Sequence, residues 1–280
     1  MSSIAANAAT APPRGEGAAD DLRLRLLSVL VLAPIALAAL LWNATAFAIL
    51  MGAAGLIMSW EWDRLRTGRF GTAGLIGAAA VAIGGVFALL GYLSVGGFVA
   101  LSGAVIAYYA IRISREREAE LAALGVLIVS GTAISLIWLR SSADGLALAG
   151  WLVGTVWATD IGAYAVGKTL GGPKLAPRLS PGKTWAGLAG GVALAAGWGA
   201  AFGLIWTGGA GRSAVLAAAT AVLAQIGDLV ISAVKRHYGA KDSSNIIPGH
   251  GGVLDRLAGL IVTAPAMALM VTIGGFAPWR

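Results

Sequence analysis

The chain is too apolar and too sparsely charged to expose its whole surface to water. Of its 280 residues, 58% are hydrophobic and only 12% are charged, whereas a soluble domain carries about 25% charged residues. A bilayer is the natural solvent for such a composition, and a helix that spans it needs roughly 20 apolar residues. We therefore expect an all-α, polytopic integral membrane protein, in which glycine and alanine let neighbouring helices approach closely.

Apolar runs separated by short polar segments predict about nine transmembrane helices. The runs lie at 24–42, 44–60, 71–91, 95–111, 121–139, 146–167, 184–206, 213–234 and 253–275. Residues 1–20 are rich in Ala, Pro and Ser, and we expect a disordered tail there. The chain then divides into N-terminal transmembrane helices at 21–145 and a C-terminal transmembrane catalytic region at 146–280.

The basic residues alternate from one polar segment to the next. Counted from the N-terminus, the odd-numbered segments hold 17 of the 20 Lys and Arg residues. Cytoplasmic loops carry such an excess, so we predict a multi-pass inner (plasma) membrane protein with its N-terminus in the cytoplasm and its C-terminus outside. Topology and anionic lipid head groups account for the net charge of +7, and no nucleic-acid partner is predicted. The chain has no cysteine, which excludes disulfides and Cys-ligated metal centres.

Two carboxylates, Asp160 and Asp228, fall inside apolar runs. A charge at the centre of a spanning helix costs roughly 2.5–3.5 kcal/mol on insertion scales, so such residues are usually functional and face the bundle interior. Helical spacing puts Lys168 on the face of Asp160 and Lys235 on the face of Asp228. We expect both acids in a water-filled cavity just below the cytoplasmic surface; the alternative is a structural ion pair or interhelical hydrogen bond.

A Gly- and Pro-rich segment at 171–185 precedes the seventh run. Its composition breaks both helix and strand, and Ser180, Lys183 and Thr184 end it as a helix begins. A helix N-terminus with free N–H groups and a nearby lysine is a ready phosphate site. The alternative is a cytoplasmic connector that ends in a helix cap.

The segment 232–256 gathers cations, carboxylates and glycines between two apolar helices. Lys and Arg match phosphate oxygens, and glycines let the backbone approach a ligand closely. Because carboxylates do not bind phosphate directly, their presence indicates a bridging Mg²⁺. His250 could act as a ligand or donor, or serve only the loop structure.

This pattern closely resembles the signature of the phosphatidate cytidylyltransferase (CDP-diacylglycerol synthase) family. The matching residues are Ser232, Lys235, Arg236, Lys241, Asp242, His250, Gly251, Gly252, Asp255 and Arg256. The Asp160 helix and the segment 180–184 also look like family landmarks, so the resemblance covers roughly 150–260. Gly182, Ala186 and Ala258 depart from the family pattern, which usually has a second Lys, a Glu and an acid at these places.

The resemblance implies that CTP and phosphatidic acid react to give CDP-diacylglycerol and pyrophosphate. The lipid phosphate has a second pKa of about 6 and is largely dianionic near neutral pH, so no catalytic base is required. Asp228 and Asp255 would hold Mg²⁺, with a second cation as an open alternative. The other implied catalytic residues are Lys235, Arg236, Lys241, Asp242 and Arg256. The implied substrate-binding residues are Asp160, Ser180, Lys183, Thr184, Ser232, His250, Gly251 and Gly252.

Other interpretations stay open at this point. They are another membrane transferase that uses a lipid phosphate, a cation- or proton-coupled transporter, and a non-catalytic lipid-binding subunit. No internal repeat is visible, which counts against an inverted-repeat transporter. Gly162–Thr169 matches the nucleotide-binding P-loop pattern, but it lies in an apolar helix rather than an exposed loop after a strand, so we attribute the match to chance. A homo-oligomer is compatible with the sequence.

Overall fold

The computed structural model describes residues 16–207 and 209–274, and this part of the chain is almost entirely helical. The helices are α1 (Glu16–Trp42), α2 (Ala44–Thr67), α3 (Thr72–Leu89), α4 (Leu93–Ile113), α5 (Ala119–Ser141), α6 (Gly145–Leu170), α7 (Trp185–Thr207), α8 (Ala210–His237), α9 (Val253–Arg256) and α10 (Leu260–Gly274). Two short strands, β1 (Lys174–Ala176) and β2 (Ser180–Thr184), pair antiparallel between α6 and α7.

The hairpin corrects the expectation that 171–185 would form neither helix nor strand. Leu179 N–H donates to the Ala176 carbonyl at 3.2 Å, which closes the turn, and Lys174 pairs with Thr184. Pro181 is tolerated in β2 because a two-stranded ribbon has only edge strands, where a missing donor is not costly.

Within residues 16–207 and 209–274, seven helices, α2 to α8, are long and apolar enough to cross a membrane. The described part of α1 contributes a shorter apolar stretch at Leu30–Trp42, and α10 is also short. The all-α, polytopic prediction is confirmed in this coarser form, while the count of nine spans is not. The last predicted span, 253–275, divides in two, because α9 ends after one turn in the polar loop and α10 begins only at Leu260.

Two predicted boundaries were wrong. Helix α1 begins at Glu16, so the last five residues assigned to the tail are helical, while residues 1–15 lie outside the described part of the chain. Helix α2 continues to Thr67 rather than ending at residue 60. Glu61 and Asp63, expected in a polar segment, therefore lie in a helix and are 0% and 1% exposed.

Close helix packing in the C-terminal part depends on glycine. A side chain at Gly162 of α6 would collide with the Gly190 carbonyl of α7, and one at Gly190 would collide with Val166. Small residues at such an interface let two helix backbones approach closely. Gly162–Thr169, which matches the P-loop pattern, lies wholly within α6. It is therefore not an exposed phosphate-binding loop.

The N-terminal helices pack around α5, whose side chains are the most consistently buried of any spanning helix described. Helix α10 packs against both α5 and α8, so the last helix joins the two parts of the chain. The division at residue 145 stays a prediction. Many large apolar side chains face outward, for example Ile113 at 80% and Ile205 at 76% exposed, as expected for a surface in contact with lipid tails.

Candidate active site

A cavity of about 510 Å³ lies between α6, the hairpin, α7 and α8. Its charged lining residues are Asp160, Lys168, Lys174, Lys183 and Asp228. Both acids that the sequence places inside apolar runs therefore reach one cavity, as expected. The cavity also contains Lys168 and Lys174, which were not predicted to bind substrate, so three lysines line it.

One face of α6 forms a wall of this cavity. Residues 160, 163, 164, 167 and 168 line it, and this is the spacing of a single helical face. From Asp160 to Lys168 the helix rises about 12 Å at 1.5 Å per residue. The cavity is therefore deep enough to join the polar segment after α6 to a carboxylate well inside the helix.

Asp228 and Lys183 form the central ion pair of the cavity. Lys183 Nζ lies 2.7 Å from Asp228 Oδ2, and each side chain is 24% exposed. Strand β2 carries Lys183 to the wall and α8 carries Asp228. Asp160 interacts electrostatically with Asp228, Lys183 and Arg256, so the signature segment, residues 232–256, contributes charge to the same region.

Thr184 lines the cavity but already has a structural bond. Its Oγ1 accepts the Gly187 N–H at 3.0 Å, and the Trp185 N–H donates to the Pro173 carbonyl at 3.1 Å. Two N–H groups of the first turn of α7 are therefore bonded within the protein. The predicted anion site at this helix N-terminus is less open than the sequence suggested, and Lys183 becomes its main cationic group.

A second cluster surrounds Asp255, whose side chain is 4% exposed. Lys235 Nζ lies 2.6 Å from Asp255 Oδ1, and Oδ2 accepts the Ser243 N–H at 2.8 Å, the Ser243 hydroxyl at 2.9 Å and the Gly252 N–H at 3.0 Å. Burial alone would raise the pKa of the Asp255 carboxyl, but the bonds from Lys235, Gly252 and Ser243 outweigh it and hold this pKa below its usual range.

The glycines of the signature make room for this cluster. Gly251 has φ +78°, and a side chain there would press on Asp242 and on Asp255 Oδ2. A side chain at Gly252 would collide with Ser243 Oγ and a carboxylate oxygen of Glu61. His250 lies beside these residues, and its Nδ1 is buried with no hydrogen-bond partner, so it has an unused polar atom within the loop.

The other predicted residues lie around the two clusters. Arg236 Nε donates to the Leu179 carbonyl at 3.3 Å, so it joins α8 to the hairpin turn. Ser180 pairs with Ala176 in the hairpin, and Ser232 is half-buried on α8. The exposed residues of this set are Arg236, Lys241, Asp242 and Arg256.

Asp228 and Asp255 belong to different ion pairs. Asp255 binds Lys235, which lies two helical turns, or about 10 Å, along α8 from Asp228. Across residues 16–207 and 209–274, no group of three or more His, Asp or Glu side chains is arranged to hold a metal ion. Asp228 retains exposure at the cavity, whereas both oxygens of Asp255 are bonded.

Glu61, which was not predicted as a site residue, contacts the signature segment directly. Its carboxylate accepts the Val253 N–H at 2.9 Å and the Leu254 N–H at 2.6 Å. The available signal was that the apolar helical pattern of α2 continues past residue 60 through Trp62. Its partners, almost 200 residues later, could not be inferred from local sequence.

Comparison with known proteins agrees with the resemblance. The sequence model described as the cytidylyltransferase family matches residues 23–274. The chain belongs to the cytidylyltransferase family. A phosphatidate cytidylyltransferase of Brucella suis is 37% identical over 259 residues, covering 91% of this chain and 94% of the relative. Its counterpart in Pseudomonas aeruginosa is 37% identical over 272 residues, covering 91% and 98%, and that of Rickettsia felis is 31% identical over 261 residues, covering 89% and 91%.

Proposed function

We propose that this chain condenses CTP with phosphatidic acid to give CDP-diacylglycerol and pyrophosphate, as part of phospholipid synthesis. The supporting observation is the cavity of about 510 Å³ whose wall holds two carboxylates and three lysines within a bundle of apolar helices. A cavity of that size accommodates a nucleotide or a lipid head group. Family membership and the names of the relatives supply the substrate class.

The reaction needs two anions to meet in line. An oxygen of the lipid phosphate attacks the α-phosphorus of CTP, a new P–O–P bond forms, and the bond to the β-phosphate breaks to release pyrophosphate. The nucleophile is a phosphate monoester that is already largely dianionic near neutral pH. The protein's contribution is therefore alignment and charge neutralisation, as in other phosphoryl transfers.

The lysines of the cavity and the cations of the signature segment bind different phosphates of the two substrates. Lys183, which lines the cavity, and Ser180 at the start of the same strand contact the nucleotide or the lipid phosphate. The triphosphate and the departing pyrophosphate are neutralised by Lys235, Arg236, Lys241 and Arg256. The ion pairs of Lys183 and Lys235 with Asp228 and Asp255 hold both ammonium groups ready near the place where phosphates would bind.

The carboxylates suit Mg²⁺, which prefers a few carboxylate oxygens together with substrate phosphates and water. Asp228 and Asp255 would hold the ion, and Asp160 would complete its shell or orient a substrate. Asp228 fits this role because it lines the cavity. Asp255 does not line the cavity and would have to release Lys235 to bind the same ion. Bound Mg²⁺ would supply charge neutralisation at the CTP phosphates.

The basic residues of the cavity support a cytoplasmic orientation of the site. Lys168, Lys174 and Lys183 belong to one of the basic segments of the sequence, and cytoplasmic segments carry such an excess. The cavity then opens to the cytoplasm, where CTP is found, and the lipid enters sideways between helices from the inner leaflet. The protein is accordingly a multi-pass inner membrane enzyme with its N-terminus inside and its C-terminus outside.

A transfer assay with detergent-purified protein tests the proposal. Labelled CTP, phosphatidic acid and Mg²⁺ should give a labelled CDP-lipid, and omission of either substrate should abolish it. Parallel reactions with other nucleoside triphosphates and with a polyprenyl phosphate separate this activity from that of another lipid-phosphate transferase. Labelled product with polyprenyl phosphate but not with phosphatidic acid would overturn the assignment.

A further inference from the structure

Glu61 is a fully buried carboxylate near the end of α2, at 0% exposure. It lies in the N-terminal half of the chain, outside the signature segment, and it does not line the cavity described above. A carboxylate is costly to bury unless its oxygens are hydrogen-bonded. The identity of its partners therefore indicates what the residue is for.

Among the residues that the structure describes, the hydrogen-bond donors to Glu61 all come from the signature segment. Glu61 Oε1 accepts the Ser244 hydroxyl at 2.5 Å and the Val253 N–H at 2.9 Å, and Oε2 accepts the Leu254 N–H at 2.6 Å. Val253 and Leu254 open α9, so Glu61 caps the helix that carries Asp255 from outside that helix. Charge-assisted bonds of this kind are short and roughly twice as strong as neutral ones.

Asp255 binds neighbouring groups of the same segment. Its Oδ2 accepts N–H groups of Ser243 and Gly252, next to the residues that Glu61 contacts. Gly252 lies between the two carboxylates, where a side chain would collide with both Ser243 Oγ and Glu61 Oε1. Glu61 therefore holds a residue next to each of the two that Asp255 binds, and so helps to fix where Asp255 lies relative to Lys235.

We propose that Glu61 is a positioning residue, which sets Arg256 and, through Asp255, its partner Lys235 for binding of the CTP triphosphate. It acts through the backbone of α9 and touches no substrate. The inference rests on the proposed function and deepens it, because it assigns part of the nucleotide site to a helix of the N-terminal half. Without Glu61 the loop keeps its glycines and cations but loses the anchor that orders them.

Asp63 offers a matched control on the same helix. It is also buried, at 1% exposure, and its Oδ2 accepts the Gly71 N–H at 2.7 Å and the Gly74 N–H at 3.0 Å at the start of α3. Asp63 therefore holds a helix start as Glu61 does, but that helix carries none of the proposed site. A change in stability or activity that both substitutions cause is structural. A change that only the Glu61 substitution causes reflects its contacts with the loop.

The experiment compares wild-type protein with Glu61→Gln and Asp63→Asn. We expect Glu61→Gln to raise KM for CTP about tenfold, equivalent to about 1.4 kcal/mol, with KM for phosphatidic acid unchanged. Asp63→Asn should leave both KM values unchanged, even if it lowers the thermal midpoint as much as Glu61→Gln does. Loss of folded enzyme lowers the apparent kcat but not KM. Equal behaviour of the two variants would overturn the inference.

Two additions make every outcome decisive. Ser244→Ala removes one of the three bonds to Glu61 and should raise KM for CTP by about twofold to threefold; if Glu61→Gln does not fold, an unchanged KM in Ser244→Ala overturns the inference. Equilibrium binding of CTP is measured in parallel and needs no turnover. If the wild type is inactive but the variants bind CTP more weakly, the proposed reaction is wrong and the role of Glu61 stands. If the wild type is active and the variants bind CTP as well as it does, the reaction stands and the role of Glu61 is wrong.

Discussion

Lys183 in β2 and Asp228 in α8 form an ion pair of 2.7 Å that fastens the hairpin to the helix at the cavity. Both side chains keep 24% exposure, so the pair is accessible to a ligand. Exposed ion pairs contribute at most about 1 kcal/mol to stability. The retention of a carboxylate within a long apolar helix is therefore better explained by binding and chemistry than by folding.

Asp228→Asn should abolish most transfer while the protein stays folded in the membrane. We expect a loss of about 100-fold or more in kcat, the scale seen when a preorganised charge is removed from a reacting centre, with the thermal midpoint nearly unchanged. Glu120→Gln removes an exposed acid outside the cavity and should keep activity within about twofold. Full activity in Asp228→Asn would refute its role as a metal ligand.

Gly252→Ala should both destabilise the protein and lower its activity. The added methyl group would collide with Ser243 Oγ and Glu61 Oε1, and overpacking of this kind costs about 1–3 kcal/mol. Gly182→Ala is the matched control, because Gly182 lines the cavity with no atom within 4 Å of the added carbon. Thermal unfolding in detergent and the transfer assay should separate the two variants; equal midpoints would contradict the packing account.

Tyr238, next to the end of α8, bonds to Glu118 before α5, and this contact should make the stability of the fold depend on pH in the acid range. Its hydroxyl donates to Glu118 Oε2 at 2.6 Å, and His237 Nε2 lies 2.9 Å from Oε1. The bond from Tyr238, followed by that from His237, holds the pKa of Glu118 below its usual range. A carboxyl whose folded pKa is depressed stabilises the fold above its unfolded pKa of about 4.3, and this contribution is lost as pH falls through the folded pKa.

Tyr238→Phe should therefore destabilise the protein by about 1 kcal/mol at neutral pH, and the difference from wild type should shrink below about pH 4. Unfolding midpoints between acid and neutral pH measure this. Tyr109→Phe removes an exposed hydroxyl and serves as the control. A difference between Tyr238→Phe and wild type that is independent of pH would show that Glu118 is not its partner.

The predicted orientation can be tested by single-cysteine labelling, because the native chain has no cysteine. Arg69→Cys and Arg178→Cys lie in basic segments and are exposed, while Tyr92→Cys lies in the uncharged turn between α3 and α4 at 58% exposure. An impermeant thiol reagent added to intact cells should label only Tyr92→Cys, and permeabilised cells should label all three. Labelling of Arg178→Cys from outside would invert the topology.

The features that sequence could predict were those with strong local signals. A carboxylate in an apolar run is costly, so Asp160 and Asp228 stood out, and both line the cavity. The signature residues were identifiable because their spacing is dense, and the family resemblance is confirmed by the match over residues 23–274.

The features that sequence missed depend on distant contacts. The hairpin between α6 and α7 has a composition typical of a loop, and only pairing reveals it. Glu61 looked like a loop residue because the apolar run seemed to end before it, and its donors come from 183 to 193 residues later. The partners of Glu61 are set by the packing of α2 against α9, which no local pattern encodes.

The most direct measurement follows two labels on CTP in one reaction with phosphatidic acid and purified enzyme. We expect an α-phosphate label to enter the lipid and a γ-phosphate label to leave as pyrophosphate, and both products to be lost in Asp228→Asn. A γ label in the lipid would show phosphorylation instead of cytidylyl transfer. That result, or an α label that reaches the lipid equally well with Asp228→Asn, would contradict the account.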